Sequence, residues 1–329
     1  MLVKDASTVT ATPSSRRARL RERSTSTIAI VIVGVLAYLA VTLLRGDQGL
    51  VAVLVVAWAI SLTGLNIVQG LGGYPSIAQG AFFGIGAYVS SILFNAGWSF
   101  ISAAVVALVA TTGVGFLVAV VFSRTRGQYF SIGTLFFGAV TALVFSNEAQ
   151  VTGGPNGLPV GLGLPLRTLL ITMVVSLVAA LLIFDAISRS AVGNRLRSVR
   201  SDEDLAEHLG VPTARTKAIA VILSAFFGAW GGILLAQYNG VVAPSQFTFM
   251  QGFLMFVAIG VGGYGRLFTP IVGAVIVVGF SQLLHLQPGV SQIVLGVVFI
   301  LITLLMPGGI IGSLELVMRR VHSRKLVTK

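Results

Sequence analysis

Long apolar runs separated by short polar stretches dominate the pattern of this chain of 329 residues. A helix needs about 20 mostly apolar residues to cross a membrane, and ten runs approach or reach that length. The sequence therefore predicts an all-α polytopic membrane protein with about ten transmembrane helices, or with eight or nine full crossings and a re-entrant piece. The predicted spans are residues 28–44, 50–69, 81–95, 101–122, 129–146, 169–187, 218–236, 251–265, 267–285 and 290–306.

The second and third runs are joined by a segment of glycine, proline and uncharged polar residues, 70–80. In lipid, an unwound segment survives only where it is buried in protein or lines a cavity, and membrane carriers tend to place their pathway at such breaks. Four polar side chains around the break are candidates for lining a translocation pathway, with a hydrogen bond between helices as the alternative for each. They are Asn66, Gln69, Ser76 and Gln79.

Part of this break has an echo later in the chain. Gly70-Leu71-Gly72-Gly73-Tyr74 is followed by a similar pentapeptide, Gly260-Val261-Gly262-Gly263-Tyr264. Paired interruptions in two halves of a transporter indicate an internal repeat, but five residues are too few to establish one in a chain with 39 glycines.

The distribution of charge predicts the orientation in the membrane. Only 10% of the residues are charged, against about 25% in an average soluble protein. Cytoplasmic loops of membrane proteins carry an excess of Lys and Arg, and ten spans with a cytoplasmic N-terminus place 20 of the 22 basic residues inside, leaving only Arg45 and Arg167 outside. Both termini are therefore predicted to be cytoplasmic. Because the basic residues form short clusters between apolar runs, the net charge of +12 does not indicate a nucleic-acid partner.

The same pattern divides the chain into three parts. Residues 1–27 are basic and rich in Ser, Thr and Arg, and they are expected to be disordered. Residues 28–306 form the transmembrane domain, which contains a cytoplasmic loop at 188–217, and residues 307–329 form a basic cytoplasmic tail. The first span lacks a small-residue cleavage pattern and is followed by further spans, so we expect it to be retained rather than removed as a signal peptide.

The cytoplasmic loop contains one short predicted helix. Ser201 followed by Asp204 resembles a capping box with Asp in the place of Glu, and Gly210 fits the position just beyond a helix end. The helix would have about two turns, with Leu205 and Leu209 on one face. This apolar stripe either rests on the membrane surface or on the protein itself, or it docks into a partner subunit.

Several motifs occur together in the order seen in one family of transporters. They are 64–66 with 80–88, 126–130 with 152–158, 193–232, and 260–265 with 306–309. In these motifs the chain resembles the inner-membrane permease subunits of ABC importers for branched-chain amino acids, a group related to the urea and simple-sugar permeases. The likeness covers roughly residues 50–315.

The resemblance implies a division of labour among subunits. Two homologous permeases, here expected to be a heterodimer, would form the pathway in the cytoplasmic membrane, two ATPases would drive it, and a soluble binding protein would deliver the substrate. The acidic residue and the glycine typical of the coupling loop correspond to Glu207 and Gly210, whereas His208 replaces a smaller residue. The residues expected to couple to an ATPase are Arg200, Asp204, Leu205, Glu207, Leu209 and Gly210.

Absent motifs agree with this division of labour. The sequence has no G-x-x-x-x-G-K-[ST] phosphate loop and no cysteine, so the chain is expected to be no enzyme and to hold no metal or cofactor, with ATP bound by the partner subunits. Leucine, isoleucine and valine are the substrates that the resemblance implies, and urea or short amides are the alternatives. An ion-coupled secondary transporter would need mid-span carboxylates, and an intramembrane enzyme would need a cluster of catalytic groups; the sequence offers neither.

Overall fold

The computed structural model describes residues 13–44, 46–161 and 163–283, together with residues 296, 297, 299, 300, 304 and 308–313 near the C-terminus. Helices form most of this described part, and the one short β-ribbon within it pairs Leu158 with Val242. The helices are α1 (Pro13–Leu43), α2 (Asp47–Leu65), α3 (Gln79–Asn95), α4 (Phe100–Phe122), α5 (Gln128–Asn147), α6 (Ala149–Thr152), α7 (Leu166–Arg189), α8 (Ala191–Ser201), α9 (Glu203–His208), α10 (Thr213–Asn239), α11 (Phe249–Gly262) and α12 (Thr269–Leu283). The strands are β1 (Leu158–Pro159) and β2 (Val241–Val242).

Seven helical segments among the described residues are long and apolar enough to cross a membrane. Helices α3 and α12 correspond to two further predicted spans, but they have only 17 and 15 residues. The last predicted span, 290–306, lies largely outside the described residues. The prediction of an all-α polytopic membrane protein is confirmed.

Helix α1 begins well before the first predicted span. It starts at Pro13, so residues 13–27, which were expected to be disordered, are helical here. Proline is well tolerated in the first turn of a helix, and the Arg, Leu and Glu residues that follow it are good helix formers. They extend a helix whose apolar part, from Thr25 to Leu43, is long enough to span the membrane.

Helix α10 lies at the centre of the described bundle and packs against α2, α3 and α4. Small residues allow these helices to approach closely. At Gly232, for example, a Cβ atom would lie 1.9 Å from the carbonyl oxygen of Phe83 on α3. The G-x-x-x-G spacing of Gly228 and Gly232 on α10 therefore coincides with a real helix–helix contact, since Gly228 faces Phe82, which lies on α3 beside Phe83.

The predicted break after the second span is confirmed. Helix α2 continues into a π-helical turn, Asn66–Leu71, where the amide of Gly72 donates to the carbonyl of Ile67 over 3.1 Å. Residues 72–78 are not helical, and α3 begins at Gln79. Most of this unwound segment, which we call the break, is buried, as expected for irregular backbone in a membrane domain.

Candidate functional site

Helix α9 in the loop between α7 and α10 is a short helix with two well-formed ends. Its N-cap is Asp202, whose Oδ1 accepts a hydrogen bond from the amide of Leu205 over 2.9 Å. The predicted capping box of Ser201 and Asp204 is therefore wrong by one residue. Ser201 is the last residue of α8 and donates its hydroxyl to the carbonyl of Arg197, whereas Asp202 has the extended backbone that an N-cap requires.

The C-terminal end of α9 matches the prediction. Gly210 has a φ of +83°, and its amide donates to the carbonyl of Glu207 over 2.9 Å. The amide of Val211 donates to the carbonyl of Ala206 over 3.0 Å. These two bonds form a Schellman motif, so Gly210 occupies the position expected of it and ends the helix.

The outward side of α9 combines exposed leucines with an exposed ion-pair cluster. Leu205 and Leu209 are 56% and 76% exposed. Asp204 and Glu207 both bind Arg126, in the loop between α4 and α5, with N···O distances of 2.6 and 2.7 Å. More than half of each of these charged side chains is exposed, so the pairs contribute little to the stability of the fold.

The inward side of α9 is held by a buried cation. Lys217, in the second turn of α10, is 1% exposed, and its Nζ lies 2.5 Å from Oε1 of Glu203. The same Nζ donates to the carbonyl of Thr125 over 3.0 Å and lies 4.4 Å from the centre of the Tyr74 ring in the break. Burial, with a smaller contribution from the Glu203 carboxylate, raises the pKa of Tyr74, so the ring is a neutral phenol beneath the ammonium group.

Arg200 is directed towards the membrane domain. Its guanidinium donates to the carbonyl of Gly70 in the π-helical turn and lies 5.7 Å from the centre of the Tyr264 ring, a distance at which cation–π attraction operates. The two tyrosines of the echoed pentapeptides thus lie on the same side of the bundle. Tyr74 is covered by Lys217 of α10, and Tyr264 is covered by Arg200 of α8.

Asn66 and Gln79 are hydrogen-bonded through both the nitrogen and the oxygen of their side-chain amides. The side-chain Nδ2 of Asn66 donates to the carbonyl of Arg266 over 2.8 Å. Its Oδ1 accepts from the backbone amide of Gly265 over 2.9 Å. Gln79 donates to the carbonyl of Ser61 over 2.7 Å and accepts from the hydroxyl of Ser224 over 2.6 Å. These two side chains flank the break and bind different neighbours: Asn66 binds the α11–α12 loop, and Gln79 binds α2 and α10.

Gln69 and Ser76 have fewer partners than the other two pathway candidates. Gln69 is 4% exposed, and its Nε2 donates to the carbonyl of Phe256 over 3.3 Å, while its buried Oε1 has no hydrogen-bond partner in the described part of the chain. Ser76 is 5% exposed. The four candidates thus surround the break without sharing one pocket, and their role in a pathway stays a prediction.

Sequence reasoning singled out neither Lys217 nor Glu203 as site residues. Lys217 lies just before the apolar run of the predicted span 218–236, where the sequence indicates a loop charge within the motif 193–232 and no role of its own. An ionisable residue at the inner edge of a span, close in the chain to an acidic helix, is the signal that could have found the pair.

A family model described as "Branched-chain amino acid transport system / permease component" matches residues 49–303, which is well over half of the chain. The chain belongs to this family. The match confirms the resemblance expected from the motifs, and it makes the protein a multi-pass permease of the inner membrane.

Two relatives from Escherichia coli illustrate the similarity. This permease is 28% identical over 293 residues to the high-affinity branched-chain amino acid transport system permease protein LivM, an alignment that covers 79% of this chain and 69% of LivM. It is 27% identical over 287 residues to the permease protein LivH of the same transport system, covering 78% of this chain and 92% of LivH. No solved structure matches this permease.

Proposed function

We propose that this permease is the membrane-spanning subunit of an ABC importer that carries leucine, isoleucine and valine across the cytoplasmic membrane. The observation that carries the proposal is the family match over residues 49–303, and the names of LivM and LivH support the substrate class. ATP is hydrolysed by separate subunits, so this chain is not itself an enzyme and needs no cofactor or metal.

The proposed topology has ten crossings with both termini in the cytoplasm. The 20 to 2 distribution of basic residues supports it. Helices α3 and α12 serve as short crossings in addition to the seven longer segments, and the predicted span 290–306, which lies largely outside the described residues, is the tenth. Residues 1–27 and 307–329 are then cytoplasmic extensions of a transmembrane domain at 28–306, and the loop at 188–217 faces the cytoplasm.

Helix α9 is the proposed docking point for an ATPase subunit. Its exposed Leu205 and Leu209 provide an apolar anchor, and the turn at Gly210 fixes the end of the helix. Asp204 and Glu207 supply a charged rim around this anchor. Arg200 belongs to the same loop, but its contacts with Gly70 and Tyr264 support an inward role within the coupling segment.

The remaining partners follow from the type of importer. Because the chain is similar to both LivM and LivH, we propose that a second, homologous permease completes the pathway as a heterodimer in the lipid bilayer. A soluble binding protein delivers the amino acid, and no nucleic acid takes part. Of the four pathway candidates, Gln69 and Ser76 have the polar atoms best able to meet a solute, while Asn66 and Gln79 hold the surrounding helices together.

The proposal is tested by ATP hydrolysis in nanodiscs that contain this chain and the partner permease and ATPases encoded with it. Binding protein loaded with leucine should stimulate hydrolysis, whereas binding protein offered urea should not. Stimulation by urea alone would reassign the substrate, and solute flux driven by an ion gradient without any ATPase would contradict the proposal.

A pair of substitutions tests the docking surface in the same preparation. Replacing both Leu205 and Leu209 by Ser should weaken co-purification of the ATPase at least tenfold, since fully burying a Leu side chain contributes about 1.5–3 kcal/mol. Arg195→Ser, which changes an exposed residue of α8, serves as the control. Unchanged co-purification of the double variant would exclude α9 as the docking point.

A further inference from the structure

The cation of Lys217 joins three segments that are far apart in the chain. Its Nζ contacts Glu203 on α9, the carbonyl of Thr125 in the α4–α5 loop and the ring of Tyr74 in the break. Helix α9 therefore has an outward side with exposed leucines and an inward side whose single buried ion pair leads directly to the unwound part of the membrane domain.

This buried contact is mechanically different from the ion pairs on the outside of α9. Arg126 and its partners Asp204 and Glu207 are more than half exposed, so water and salt weaken their attraction. Lys217 is 1% exposed and Glu203 is 19% exposed, and separating such a pair would leave an uncompensated buried charge. When α9 moves, the exposed pairs of Arg126 can separate at little energetic cost. Lys217 and Glu203 have to stay paired, so Lys217 moves with α9.

We propose that the Lys217–Glu203 pair transmits displacement of α9 to the break at residues 72–78, so that Lys217 is a positioning residue of the transport cycle. The inference rests on the proposed docking of an ATPase on α9 and deepens it. The receiving element is Tyr74, whose ring lies directly against the ammonium group.

A second cation reinforces the same connection. Arg200, at the end of α8, donates to the carbonyl of Gly70 and lies against the ring of Tyr264. Asn66 in turn binds both Gly265 and Arg266, so the π-helical turn that leads into the break is held to the α11–α12 loop. Movement of the α8–α9 segment thus reaches both glycine-rich pentapeptides.

A purely structural role for the pair makes a different prediction from a transmitting role. Well-packed neutral side chains often replace a buried ion pair without loss of stability. The double variant Lys217→Met/Glu203→Gln leaves no unpaired charge and should fold. Lys217→Met alone would leave the Glu203 carboxylate without its ion-pair partner. In proteoliposomes with the partner permease, ATPases and binding protein, we expect the double variant to assemble and hydrolyse ATP but to transport leucine at least tenfold more slowly.

Two single substitutions serve as comparisons for the double variant. Lys217→Arg keeps the charge and should restore more than half of the transport that the double variant loses. Arg195→Met removes an exposed charge of α8 outside the proposed docking surface and should change transport less than about threefold, as expected for a surface substitution.

A conformational readout separates transmission from general damage. The chain has no cysteine, so Ser76→Cys places a single thiol within the break. Its labelling rate with a maleimide should differ between the nucleotide-free and the vanadate-trapped complex, and this difference should disappear in the Lys217→Met/Glu203→Gln background. Tyr74→Leu, which removes the ring and leaves the ion pair, should abolish the difference as well and provides the test if the double variant does not fold.

The possible failures are distinguishable. If the unmodified chain does not bind its ATPases, the proposed function fails before the pair is tested. If the unmodified complex transports leucine and the double variant does so at the same rate, or if labelling of Ser76→Cys responds to nucleotide equally in the variant backgrounds, the pair transmits nothing and the inference alone is overturned.

Discussion

Two buried glutamines near the break differ in how many of their side-chain polar atoms are hydrogen-bonded. Gln79 is bonded at both ends and holds helices together, whereas Gln69 has an atom without a partner among the described residues. Both ends of the Gln79 amide are occupied, by Ser61 on α2 and by Ser224 on α10. Gln69 uses only its nitrogen, in a contact of 3.3 Å, and keeps a buried oxygen that is unpaired within the described residues. A side chain with unused hydrogen-bonding capacity is better suited to meeting a passing solute than one that is fully engaged.

This difference predicts opposite effects for two matched substitutions. Gln79→Met should lower the free energy of unfolding in detergent by about 1–3 kcal/mol, because it leaves buried partners on two helices unpaired. Gln69→Met should change stability by less than about 1 kcal/mol but should raise the KM for leucine transport several-fold. Thermal unfolding of the purified variants and uptake kinetics in proteoliposomes provide the two measurements. A Gln69→Met variant with unaltered KM would remove Gln69 from the pathway.

At the scale of helices and turns, local chemistry was predictable from the sequence wherever one residue type is required. Only a residue that tolerates positive φ ends a helix as Gly210 does, and the position of that end was predicted correctly. At the other end of α9, Ser and Asp are both good N-caps. The choice of Asp202 over Ser201 depends on where α8 stops, which the local sequence does not determine.

The packing of α10 on α3 is a property of elements that can be tested by adding single methyl groups. Gly232→Ala should destabilise the protein by about 1–3 kcal/mol or more, because the new Cβ would overlap the Phe83 carbonyl. Gly113→Ala on α4 is the matched control, since its Cβ would meet nothing within 4 Å, and higher helix propensity should make it neutral or slightly stabilising. Equal melting temperatures for the two variants would contradict the close contact.

For the whole molecule, apolar run lengths and basic residues were sufficient to predict the class of fold and the approximate spans, and the family was predicted from the resemblance of its motifs. They could not predict the network that joins the loop to the break. Lys217 appears in the sequence as one more basic residue near a membrane edge, and its partners Thr125 and Tyr74 come from distant parts of the chain. Contacts of that kind depend on how the helices are arranged, and hydropathy does not encode the arrangement.

The proposed orientation can be tested because the chain has no native cysteine. Ser198 on α8 and Ser245 in the α10–α11 connection are both exposed, and the positive-inside rule assigns them to opposite sides of the membrane. A membrane-impermeant maleimide should label Ser245→Cys in intact spheroplasts and Ser198→Cys only after permeabilisation. The reverse pattern would invert the topology, and labelling of both from outside would rule out the proposed number of crossings between them.

The π-helical turn at Asn66–Leu71 has a consequence for how the break can move. A π-helix accommodates an extra residue relative to the α-helical hydrogen-bond pattern. If the turn tightened to α-helical bonding, one residue would pass into the break, shifting the chain by about 1.5 Å and rotating it by about 100°. The break is thus connected to α2 by a turn that contains one extra residue. The break can therefore shift by one residue while α2 keeps its position in the bilayer.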